Sequence, residues 1–300
     1  MKRRGFTTVE LLVVLVMAGI VAASIGGVLR RQQRFFANAA SLVERRVSLR
    51  DATGILPAEM RTLSPPSGDV IAFSDSSLEI RATIGAAVAC DTLANGAGLD
   101  LVPVRATRSN QLTAFSTTPQ AGDIALMLDA GATSAATDDA WVELPIDGVA
   151  SLTTACAASP FIDPVADASA ARLRLRLASG SRLPPTVGPG ALVHVLRRVR
   201  YRLYRTSTSD WYLGYSEWDG AAYTVVQPVS GPFAPYSRRV GSSGLMLRYL
   251  DDVDVPVTLL VDAPRIARIE VVARTEVGRG LSASQAIVDS QTVAVRVRNR

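Results

Sequence analysis

A chain of 300 residues with 48% hydrophobic and 20% charged side chains has the composition of a folded protein, not a disordered one. The formal charge is +5, but Lys2, Arg3 and Arg4 supply three of those charges, and the +2 left on the rest is a weak basis for nucleic-acid binding. Two cysteines and a single histidine leave no local spacing from which a zinc cluster or a Cys–His dyad can be assembled.

The basic start runs into GFTTVELLVVLVMAGI, apolar except for Glu10. A carboxylate inside a membrane-length apolar segment costs about 2.5–3.5 kcal/mol on insertion scales and marks a functional hypothesis by default. From Leu11 to Leu29 there are nineteen residues without a charge, close to the roughly 20 needed to cross a bilayer as a helix. Lys2, Arg3 and Arg4 favour a cytoplasmic N-terminus, and Arg30, Arg31 and Arg34 on the other side weaken that asymmetry. A secretory signal peptide fits the basic start and apolar middle, with Ala22-Ala23-Ser24 as a small-residue cleavage site. A plain signal anchor fits as well. Neither explains Glu10.

GFTTVE resembles the N-terminal motif of type IV prepilins and type II secretion pseudopilins: a short basic leader, Gly, Phe, three residues, Glu, then an apolar helix. The match covers about the first 30 residues, with five features in register. The resemblance implies cleavage between Gly5 and Phe6 by a prepilin peptidase and N-methylation of Phe6. The cut would create a positive amine at Phe6, and Glu10, four residues on, returns to the same helix face. In a filament, Glu10 of one subunit can then neutralise the amine of a neighbour, since two paired desolvated charges cost far less than either alone. Gly5 suits a protease site because a residue without Cβ lets the backbone approach catalytic groups closely.

Residues 30–63 keep a helical pattern, with Leu42, Val43, Val47 and Leu49 near three- and four-residue spacing and Arg and Gln on the other faces. Gly26-Gly27 is a weak point, Pro57 is expected to kink or restart the helix, and Ser64-Pro65-Pro66-Ser67-Gly68 ends it. About fifty residues of helix reach about 75 Å.

Past Gly68 the period changes to two. Leu173, Leu175 and Leu177 alternate with Arg172, Arg174 and Arg176, and Val293, Val295 and Val297 with Arg296 and Arg298. Val193–Arg205, Trp211–Trp218, Leu245–Leu250 and Ile266–Val272 also read as strands, and Asp219-Gly220 signals a hairpin. Ala94–Gly98, Ala130–Asp139 and Ser179–Gly190 are turn-rich. The expected fold class is α+β, a long N-terminal helix on an elaborated antiparallel β-domain of pilin-like type. The segments are a leader (1–5), a transmembrane part (6–29), an amphipathic continuation (30–63) and an exported β-rich domain (69–300), with two sheets expected about 69–165 and 166–300. If the chain is exported, Cys90 and Cys156 most simply form a disulfide, the alternative being two buried thiols. GILPAEMRTLSP, WYLGYSEWDG and LMLRYLDDVDVP loosely resemble the larger minor pilins and pseudopilins of the PilW and J types.

Other chemistry-bearing residues read as structural. His194 sits alone in a strand pattern. Asp251, Asp252 and Asp254, and Asp138-Asp139, lack calcium-loop spacing and read as solvated loop carboxylates, so no metal or cofactor is expected. Arg198, Arg200, Arg202 and Arg205 near Tyr201 and Tyr204 fit either the wet face of an antiparallel strand or a nucleic-acid surface, and the strand face is the preferred reading. Arg172, Arg174 and Arg176 read the same way.

The chain is therefore expected to be a single-pass inner-membrane protein with a cytoplasmic N-terminus and an exported domain, not an enzyme. The resemblance implies a minor subunit of a type IV pilus or secretion pseudopilus in a periplasmic or surface filament. Its implied partners are the prepilin peptidase, other pilins, the inner-membrane assembly platform and the lipid bilayer. The alternative is a membrane-anchored module binding DNA or a surface.

Overall fold

A computed structural model of the protein describes residues 8–104, 112–133, 135–153, 156, 160–163, 165–239, 241–276 and 288–297. Gly5, Phe6 and Arg298 lie outside the described residues. Helix α1 (Thr8–Met60) runs unbroken for 53 residues, across Gly26-Gly27 and across Pro57. The chain then makes a 3-10 turn at Pro65–Ser67, which closes on Gly68 in the left-handed region (φ 80°). The helix does not restart at Pro57: the Pro57 carbonyl accepts from the Arg61 N–H at 3.1 Å, and the turn sits on buried Leu56 and Met60.

The strands follow in chain order: β1 (Val70–Phe73), β2 (Ser77–Thr92), β3 (Gly98–Leu101), β4 (Ala114–Phe115), β5 (Ile124–Asp129), β6 (Ala140–Leu152) and β7 (Arg172–Leu177). Then come β8 (Leu192–Arg205), β9 (Trp211–Glu217), β10 (Gln227–Phe233), β11 (Leu245–Leu250), β12 (Arg268–Glu276) and β13 (Val288–Arg296). All described pairings are antiparallel, and the architecture is α+β. Strands β1–β10 form one sheet and β11–β13 a second. The division falls between Phe233 and Leu245, not near residue 165. Strands β2 and β8, from opposite sides of the expected boundary, pair along most of their length, so no boundary can lie there.

Strand length explains how one sheet holds two cores. The near halves of β2 and β8 lie beside β1, β9 and β10, whereas their far halves pair with β3 and β5. Because β3 pairs with β7, β7 with β6 and β6 with β5, the far halves belong to a closed circuit, β2-β3-β7-β6-β5-β8. Closure leaves no unpaired edge there. Its interior holds Leu99, Leu101, Met127, Leu144, Leu175 and Val195. The register of β2 shifts between Thr83 and Gly85, and β4 passes so close that a Cβ on Gly85 would lie 2.2 Å from the Ala114 carbonyl. Only glycine fits that crossing.

The second core sits at the near end. Leu49, Ala52, Leu56 and Met60, at helical spacing, join Leu78, Ile80 and Val199 of the large sheet and Leu247, Ile269 and Val271 of the small one. Helix α1 touches β10, β12 and β13, so its last third cements the two sheets together. Truncating fully buried Leu56 to Ala removes about 2–5 kcal/mol from that joint. Cys90 and Cys156 are disulfide-bonded with Cα atoms 6.0 Å apart, inside a satellite cluster with Val88, Val102 and Ile162.

Candidate functional site: an uncovered apolar helix and a neutralised arginine face

The N-terminal half of α1 stands clear of the β-domain. Every large apolar side chain from Val9 to Leu29 is half or more exposed. Among the described residues, α1 is the one helix long and apolar enough to cross a membrane. Apolar exposure on this scale marks a surface that lipid or protein covers. Glu10 lies in the first turn and is the one acidic residue there. It shares a helix face with Val13, Val14 and Met17, which continue into a shallow apolar groove through Ala18, Val21 and Ala22.

The arginines of β8 are placed otherwise than bare strand-face cations. The β2–β8 register sets Glu79 opposite Arg200, and Glu79 is 4% exposed. Arg200 donates to Glu79 Oε2 from Nε (3.1 Å) and Nη2 (2.9 Å), and Arg198 donates from Nε to Oε1 at 2.5 Å. Arg198 also lies 4.8 Å over the Trp218 ring and Arg200 3.7 Å over the Tyr223 ring, so each guanidinium is stacked on an aromatic side chain while remaining one-third exposed. Burial acts to raise the Glu79 pKa, yet hydrogen bonds with Tyr223, Arg200 and Arg198 outweigh it and hold the carboxyl below its ordinary value. The Tyr223 hydroxyl is pushed up to about 12, chiefly by burial and then by its bond to Glu79. Arg202 remains exposed, while Tyr201 packs into the core.

Neighbouring Arg197 is 3% exposed and is gripped by Asp123, with Nε and Nη2 each 2.8 Å from a carboxylate oxygen, and by Glu217 at 2.8 Å. On β7 the expected wet arginine face is partly overturned. Arg172 is buried, and it and Arg174 converge on buried Asp100 at 2.9 and 2.6 Å; Arg174 is still one-third exposed and Arg176 faces solvent. Sequence reasoning missed Glu79, Asp100 and Asp123. A readable signal existed for the first two: each is a lone carboxylate inside an apolar strand pattern, LEI and LDL.

The remaining candidates are local structure. Asp251, expected as a solvated carboxylate, is 2% exposed: it accepts from the N–H groups of Val253 and Val255 and from Arg265. A turn needs its orphan N–H groups satisfied, and a carboxylate at the head of the turn does so. Asp254 pairs with Arg268 at 2.8 Å, and Asp138 caps the Ala132 and Thr133 N–H groups. His194 is half-buried beside Trp141, ring centroids 5.8 Å apart, in a cleft that Glu143 and Asp69 also line. Glu143 there is tied to Arg81 at 2.5 Å.

No family model, no curated protein and no solved structure matches this chain.

Proposed function

We propose that this chain is a minor pilin- or pseudopilin-like subunit, cut between Gly5 and Phe6 by a prepilin peptidase, that enters or primes a type IV pilus or secretion pseudopilus. The observation that carries the reading is Glu10: a single carboxylate near the start of an apolar helix half that the β-domain leaves uncovered. A water-soluble fold gains nothing from such a helix. A bilayer supplies a cover for it before assembly, and a bundle of like helices supplies one afterwards. Within the bundle Glu10 meets the α-amine of a neighbouring Phe6, and the pair replaces two separately unaffordable charges.

The Cys90–Cys156 disulfide supports export of the domain, because such bonds persist in oxidising compartments. In this reading the domain faces outward from the inner membrane and the protein serves assembly rather than catalysis. The DNA-binding alternative loses its main support, since Arg198 and Arg200 are already matched by Glu79 and stacked on aromatic rings. Sequencing the N-terminus of the mature protein tests the proposal. It should begin at Phe6 carrying one added methyl group, and a start near Ile25, as a conventional signal peptide would give, overturns it.

A further inference from the structure

The connection from β11 to β12 exposes an unusual amount of apolar surface. Val253, Val255, Leu259, Leu260 and Val261 are 71, 51, 61, 52 and 80% exposed within nine residues. This strap is held in place from beneath. Asp251 accepts from the Val253 N–H at 3.1 Å, the Val255 N–H at 2.8 Å and Arg265 at 2.9 Å, the Val257 N–H donates to the Tyr249 carbonyl at 2.8 Å, and Val257 and Ala263 are core residues. A segment fixed at so many points presents its apolar groups by construction, not by fraying. A preorganised apolar surface is what a docking site needs.

Charge identifies what fits it. Residues 251–265 contain four aspartates and one arginine; Asp251 is tied to Arg265 and Asp254 to Arg268, which leaves Asp252 and Asp262 to face a partner. Residues 28–47 of α1 carry the opposite pattern, five arginines and one glutamate. That stretch also has its own uncovered apolar groups: Phe35, Phe36, Val43 and Val47 are 69, 68, 62 and 51% exposed. The two surfaces match in polarity and in charge. They cannot meet within one molecule. The strap packs against the Pro65–Ser67 turn just past the end of α1, whereas Val47 and Phe35 lie 13 and 25 residues before Met60, about 20 and 38 Å back along the helix.

We infer that the strap of one copy docks on residues 28–47 of α1 in a second copy. The contact is heterologous: it uses different patches on the two molecules, so a docked pair leaves one strap and one helix face open. It extends the assembly reading to the exported domain but uses neither the Gly5–Phe6 junction nor Glu10.

The test uses full-length protein in its membrane. Val261→Cys copies and Phe36→Cys copies carry tags of different size, are co-expressed, and are treated with a mild oxidant; Cys90 and Cys156 are already bonded. A mixed disulfide dimer should form at least about fivefold more efficiently than when Val225→Cys, at a position 86% exposed outside the strap, replaces Val261→Cys. Charge reversal in the strap copy, Asp252→Lys with Asp262→Lys, should cut the yield severalfold, and Arg31→Asp with Arg34→Asp in the helix copy should restore it. No mixed dimer, a yield equal to that of the Val225→Cys control, or indifference to both reversals overturns the contact; a bilayer covering Phe36 would produce the first of these. The N-terminus read on the same sample keeps the two proposals separable, because processing at Phe6 without strap cross-linking refutes the docking alone, and cross-linking without processing refutes the pilin reading alone.

Discussion

Ser48 of α1 and Ser230 of β10 grip one another across the helix–sheet joint. Ser230 Oγ donates to the Ser48 carbonyl at 2.6 Å, and Ser48 Oγ donates to the adjacent Gly231 carbonyl, also at 2.6 Å, while lying 3.0 Å from the Glu44 carbonyl of its own helix. Both serines are buried. They mark the place where an uncovered helix becomes a core element, one residue before Leu49. Ser230→Ala removes one of these bonds and should lower domain stability by about 1–2 kcal/mol, a fall of about 2–8 °C in melting temperature for a domain of this size. Calorimetry on the two proteins checks it; an unchanged midpoint would show that the grip contributes nothing.

Glu79 makes the large sheet acid-sensitive. Its folded pKa lies below the ordinary value, so its stabilising contribution is fully present above about pH 4.3, the unfolded value, and is lost as pH falls through the folded one. Replacing it with glutamine leaves Arg198 and Arg200 facing each other with no counter-charge. Breaking a buried pair on one side costs about 3–5 kcal/mol, and the two arginine side chains are about one-third exposed, which brings the expected loss at pH 7 to about 2–3 kcal/mol. Denaturant titrations at pH 7 and pH 3 should show the variant losing less between the two than the parent. Equal losses would mean that Glu79 does not carry the acid response.

The helix was readable because its signals are local. An uncharged run, a 3.6-residue pattern and a Pro-Gly stop lie in contiguous sequence, and α1 ends within a few residues of where they point. The strand alternations around Leu175, Val195 and Val295 were readable for the same reason. The partition of strands into sheets was not. It depends on β2 and β8 each being long enough to serve two cores, and length alone does not reveal which neighbour a strand takes along each half. The arginine faces failed differently. Period-two alternation fixes which side of the sheet a residue is on, and says nothing of whether a carboxylate from the next strand lies against it. Asp100 turned an expected wet face at Arg172 into a buried ion pair.

The disulfide gives a redox prediction. Cys90 and Cys156 close a loop 66 residues apart in sequence, and in the chain-entropy model a crosslink of that span is worth about 4 kcal/mol. Cys90→Ser with Cys156→Ser should lower stability by about 2–4 kcal/mol, and mass spectrometry of the unreduced parent should find no alkylatable thiol. Parent and double variant unfolding together under oxidising conditions would remove the bond from the account of stability.

Glu10→Val separates assembly from anchoring. On the proposed reading, the substitution makes the apolar half of α1 more apolar and should retain membrane insertion, and it leaves the residues of the Gly5–Phe6 junction unchanged, so cleavage should proceed. What disappears is the counter-charge for a neighbouring α-amine. An unpaired ammonium in an apolar bundle is costly by several kcal/mol, and a loss of only about 2.7 kcal/mol already lowers an association constant a hundredfold. Fractionating cells that express the variant beside the parent should show equal membrane content, the same mature N-terminus and a filament fraction depleted by at least about tenfold. Glu10→Asp shortens the reach by one methylene but keeps the charge, and should fall between the two. If Glu10→Val enters filaments at the parental level, the carboxylate is not the register of assembly and some other contact of the helix must set it.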